Sequence, residues 1–156
     1  MTTTPIELEI STKTRREVPV RRLATAGLSA ALVGIAAVEA YAALVKAAGV
    51  PMKAGFLGAT HATSVTSGSF ATGVLVCTFW GTVLAVLVGK LSRRPKWAFL
   101  TATCALAALS LIVPLGAGAT GTSTKLALAG AHIIVALVDI PILARALPRG
   151  TEVRSG

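Results

Sequence analysis

Residues 130–147 read GAHIIVALVDIPILARAL, and only His132, Asp139 and Arg145 interrupt an otherwise apolar run. Nothing in it alternates with the period of a strand. About 20 such residues, rising 1.5 Å each along a helix, cross a hydrocarbon core about 30 Å thick. Extended back to residue 126, the stretch is therefore a transmembrane helix. Seven helical steps separate His132 from Asp139, which places both on one face about 10 Å apart along the axis. These two ionisable groups, well inside the segment, need an explanation.

Three more stretches read the same way: residues 23–47, 69–89 and 97–116. Together the four occupy more than half of the 156 residues and leave no room for a separate soluble domain. Only 13% of residues are charged and the mean hydropathy is +0.77, whereas a soluble domain carries about 25% charged residues. Strand-period alternation is absent throughout, which argues against a β-barrel. The expected fold is an all-α membrane protein, a four-transmembrane-helix antiparallel bundle in residues 21–148. Residues 1–20 read as a mobile basic tail and residues 149–156 as a second tail.

A net charge of +9 would suit a nucleic-acid binder, but the positions of the charges argue against that partner. Of the fifteen Lys and Arg residues, twelve lie in the N-terminal tail, the 2–3 loop (KLSRRPKW, residues 90–97) or the C-terminal segment. Only Lys46, Lys53 and Lys125 fall in or beside the other two loops. This is the positive-inside pattern and predicts both termini on the cytoplasmic side of the plasma membrane. The same residues attract anionic headgroups. A rival reading treats residues 1–42 as a signal peptide cleaved after Ala40-Tyr41-Ala42; apolar residues continuing through Val45 favour a retained first helix.

The loops carry ordinary boundary signals. Gly49 and Pro51 end the first helix, Pro95 starts the third beside Trp97 as an interfacial anchor, and Ser123 or Thr124 is a candidate cap for the fourth. Within the second helix, Gly73, Cys77, Gly81, Ala85 and Gly89 recur every four residues. Such a ridge of small side chains lets another helix approach closely in lipid, where no hydrophobic force draws helices together. It fits packing inside the bundle or against a second subunit.

Cys77 and Cys104 are the only cysteines. By helical rise they lie about 12 Å and about 18 Å from the outer ends of their helices, which makes a disulfide awkward and points to buried packing thiols. Glu39 and His132 lie at depths only about 3 Å apart. Three readings stand for Glu39: a polar clasp with His132, a proton or ligand site, and interfacial exposure below a snorkelling Lys46. Asp139 lies deeper, two residues before Pro141, whose missing N–H frees the carbonyl of Leu137 and loosens that turn. It can hold a proton or cation there, or act as a protonated donor. Their difference in depth makes His132 and Asp139 read as two sites.

A bis-histidine haem site is not expected, because the only other histidine, His61, falls in the 1–2 loop. No metal-ligand spacing, nucleophile–base pair or phosphate cradle occurs, so no cofactor, metal or catalytic residue is assigned and an enzyme is not expected. The leading expectation is a non-enzymatic accessory or scaffold subunit with a membrane protein partner or as a homo-oligomer. The alternative is a small oligomeric transporter or proton-coupled permease using Glu39, His132 and Asp139.

KAAGVPM (residues 46–52), SRRPKWAFL (92–100), LSLIVPLGAG (109–118) and TKLALAGAHIIVALVDIPILARAL (124–147) together resemble an uncharacterised family of small four-span membrane proteins from actinobacteria, known as a domain of unknown function. The likeness covers most of residues 23–147. It implies a plasma-membrane location in a high-GC Gram-positive bacterium and supplies no reaction. It also implies histidine as a frequent residue at position 132 and an ending at Ile-Pro, with the acid at Asp139 a departure.

Overall fold

The structure is a computed structural model, and it describes residues 18–66 and 68–148. Its elements are α1 (Val20–Ala47), a short antiparallel pair β1 (Lys53–Ala54) and β2 (Thr63–Ser64), α2 (Ser69–Leu91), α3 (Pro95–Ser110), α4 (Ile112–Leu115) and α5 (Thr122–Ala146). α1, α2, α5 and the α3–α4 unit, Pro95–Leu115, are each long and apolar enough to cross a membrane. They pack antiparallel. Residues 1–17 and 149–156 of the two expected tails lie outside the described residues.

The boundaries differ from the sequence reading by up to a turn. α1 begins at Val20 and takes in Arg21 and Arg22; the Arg22 guanidinium donates to the carbonyl of Arg145 near the end of α5 at 3.2 Å. Val18, expected in the mobile tail, packs against Gly89 and the core instead. α5 starts at Thr122, so Ser123 and Thr124 lie inside it and Gly121 is the N-cap, without a side-chain cap bond. The third span is broken at Leu111 because Pro114 has no N–H to offer the carbonyl of Ser110. The Ser110 hydroxyl turns back to the carbonyl of Ala107 at 2.7 Å. α5, by contrast, runs through Pro141 as one helix.

The bundle is inside-out relative to a soluble protein. Large side chains such as Leu28, Leu44, Phe79, Trp80 and Leu137 are exposed, while α1 buries Gly27, Ala30, Ala31, Gly34, Val38 and Ala42. In lipid an apolar surface costs nothing and small residues allow close packing, so the fold buries the small ones. α1 packs most extensively against α5, then against α2. Its helix passes without interruption through Ala40-Tyr41-Ala42, with Ala42 buried. A side chain at Gly130 of α5 would collide with the Tyr41 hydroxyl.

Two cores result. At the basic end, beside the α2–α3 loop, Leu23, Ala85, Phe99, Leu143 and Leu147 join all four spans. At the opposite end, Val38, Val74 and Ala131 join only α1, α2 and α5. That end carries the β1–β2 hairpin, which sits on the α4–α5 loop: Gly55 N–H donates to Thr120 Oγ1 at 2.9 Å and Gly118 N–H to the Phe56 carbonyl at 3.0 Å.

Candidate functional site

Because α3 is held in the core only near the basic end, a cleft of about 710 Å³ stays open between α2, α3 and α5. On α2 it runs from Ser69 to Leu87, about 27 Å at helical rise. Trp80, Leu87 and Leu106 line it and are themselves exposed, so it opens onto the apolar outer surface. Its walls are almost entirely apolar. The exceptions include Cys77, Thr103, Ser110, His132 and Asp139.

Asp139 is 7% exposed and sits where α1, α2 and α5 meet. The Thr78 hydroxyl of α2 donates to its Oδ2 at 2.5 Å. Among the described residues Oδ1 is buried without a partner, close to Gly34 of α1, where a Cβ would lie 3.4 Å from it. The tighter neighbour is Val74 of α2, whose Cγ1 would lie 3.0 Å from the same Cβ, so glycine at 34 lets α1 close against α2 beside the carboxyl group. A buried carboxyl with one oxygen bonded is costly to leave half-satisfied, so this junction depends on Thr78. Sequence reasoning missed both partners. α1's glycines and alanines recur at three- and four-residue steps and were a legible signal for Gly34; nothing in the sequence marked Thr78.

His132 and Glu39 do not form the clasp, although α1 and α5 are neighbours. His132 Nδ1 lies 2.9 Å from the carbonyl of Leu128. A carbonyl only accepts, so Nδ1 carries the hydrogen and Nε2 is the free ring nitrogen of the neutral form. Two residues are 200° of helical turn, and with Gly130 facing Tyr41 of α1, His132 faces the α3 side. It lines the main cleft and a second groove of about 490 Å³ between α3 and α5. Glu39 instead accepts from the N–H of Gly68, the N-cap residue of α2, at 3.3 Å. A carboxylate there also suits the positive end of the helix dipole.

His132 and Asp139 therefore share one cleft, where depth alone suggested two sites, because the cleft runs along the helix rather than across it. The cysteine reading is also corrected. Cys77 and Cys104 are free and exposed, the first in the main cleft and the second in the smaller groove. The small-residue ridge divides in two. Gly81 and Gly89 lie under Leu143 and Leu147, and Ala85 is fully buried. Among the described residues nothing lies near the position a Cβ at Gly73 would take. His61, in the first loop, is exposed and paired with Thr60 Oγ1 at 2.9 Å.

These four spans and their loops coincide with a known sequence family: a family model described as a family of unknown function, DUF6069, matches residues 18–149. The chain belongs to DUF6069. The match takes in all five helices and the cleft, so the site described above lies wholly inside the DUF6069 region. Searches of curated proteins and of solved structures find no match.

Proposed function

We propose that this multi-span membrane protein is a non-enzymatic accessory or scaffold subunit of the plasma membrane, with both termini cytoplasmic. The observation that carries the reading is the use made of Asp139. The deepest carboxyl group is committed to a junction of three helices, bonded to Thr78 and covered by Gly34. Glu39 is spent on the α2 N-cap, away from the cleft. Groups that fix helix positions serve a rigid platform better than a path. The distribution of Lys and Arg supports the orientation and an anionic lipid surface as one partner; the exposed apolar faces leave room for a membrane protein partner or another copy.

Extraction of native membranes in mild detergent followed by native mass spectrometry tests the reading. A stable heteromeric complex is expected, and a lone homo-oligomer would count heavily against it. One observation favours a second reading, a small proton-coupled permease: Asp139 Oδ1 is unpartnered among the described residues and His132 lines the same cleft. Under that reading Asp139→Asn abolishes a pH-driven flux in reconstituted vesicles; under the accessory reading no such flux exists in either protein.

A further inference from the structure

We infer that the α2–α3–α5 cleft is a binding site for one anionic phospholipid, with an acyl chain in the cleft and the headgroup on Lys90 and Lys96. Two independent features meet here, the shape of the cleft and the charge at one end of it.

The shape suits a single chain. The cleft holds about 710 Å³. Spread along about 27 Å of α2, that volume is a long, narrow slot. It lies within the range of roughly 300–1,000 Å³ typical of small-ligand sites, which are likewise apolar with a few placed polar groups.

The charge selects the headgroup and the end from which the chain enters. Val83 and Leu87 line the cleft on α2, and Lys90 lies seven and three residues beyond them. Phe99 and Thr103 line it on α3, and Lys96 lies three and seven residues before them. Residues at these steps share a helix face, so both lysines extend the two walls of the cleft at its basic end. Both are exposed. Of the two carboxyl groups among the described residues, Glu39 lies on the N-cap of α2 and Asp139 lines the cleft further along, bonded to Thr78 in the three-helix junction, so neither stands beside the two lysines. Ten residues separate Lys90 from Trp80, about 15 Å of rise, which is half of the hydrocarbon core. A lipid anchored on Lys90 and Lys96 thus brings the far half of its chain to Trp80.

Trp80 and Trp97 are the only tryptophans, so Trp97→Phe leaves Trp80 as the sole reporter. The purified full chain carrying that change is placed in phosphatidylcholine vesicles with a minor fraction of phospholipid brominated in the distal half of one chain. Brominated phosphatidylglycerol should half-quench Trp80 at about one twenty-fifth of the content that brominated phosphatidylcholine needs, since each of the two lysines contributes a preference of about fivefold. Lys90→Gln with Lys96→Gln should erase the difference, while Lys125→Gln at the other end should preserve it. Equal quenching by both lipids, or a preference surviving the double change, overturns the proposal. Trp80 shielded from both lipids overturns it too and points to a second copy in the cleft. The test uses no protein partner, so its failure is separate from failure of the accessory reading.

Discussion

The two ends of the bundle are built from similar residues and behave differently. At the basic end Phe99 of α3 is fully buried among Leu23, Ala85 and Leu143, and the small residues of α2 lie under Leu143 and Leu147. At the hairpin end the core consists of α1, α2 and α5 alone, and Gly73, on the same ridge, faces open space. A repeat of small residues therefore permits close approach without requiring it. What draws α3 onto the other spans near the basic end is one large side chain, Phe99, past which the outer edge of the cleft continues to Leu87; what widens the cleft is the lack of its counterpart nearer the hairpin.

The largest test of this contrast is Phe99→Ala. It should cost about 3–5 kcal/mol, as for other buried aromatic residues, and release α3 along its length; thermal unfolding in detergent reads the loss. Ala107→Phe, placed where the cleft is lined, should cost far less. Next comes Thr78→Val, which leaves Asp139 without its donor and should cost about 1–3 kcal/mol. Its effect should shrink when Asp139 is already Leu, because the two changes remove one interaction. Independence of the two would break the three-helix junction as described.

The glycines give a sharper, smaller comparison. Gly27→Ala drives a methyl group into the Thr82 hydroxyl, and overpacking of this kind costs about 1–3 kcal/mol. Gly73→Ala meets nothing and should stabilise α2 by up to about 1 kcal/mol through helix propensity. Equal effects would mean that the hairpin end is as tightly packed as the basic end. Smallest of all is the coupling between Glu39→Gln and His132→Ala, which touch separate partners. Their effects on melting should add to within about 0.5 kcal/mol, and strong coupling would restore the clasp.

Much of the fold is legible in the chain. Apolar length fixes four spans, as in residues 130–147, and Pro95 and the basic loop mark the tight turn between α2 and α3. The hairpin at residues 53–64 was not legible, because two-residue strands leave no periodic signal. The break at Leu111 is marked by Pro114, which has no N–H for the Ser110 carbonyl. Of the candidate site, the sequence singled out Asp139 and His132, since ionisable groups in lipid stand out. It placed them in separate sites because depth along a helix says nothing about which neighbouring helix stands aside.

The sequence by itself determined that this is a four-span helical protein, because the bilayer imposes length and apolarity on each span independently of the others. It also determined where small residues permit contact. Only the tertiary structure decided which contacts are made: that α1 crosses Asp139 at Gly34, that Glu39 serves the α2 N-cap, and that α3 leaves a cleft. Those outcomes depend on how all the helices share space, and lipid solvates each apolar face as well as a neighbour would. Packing and a few polar contacts chose among them.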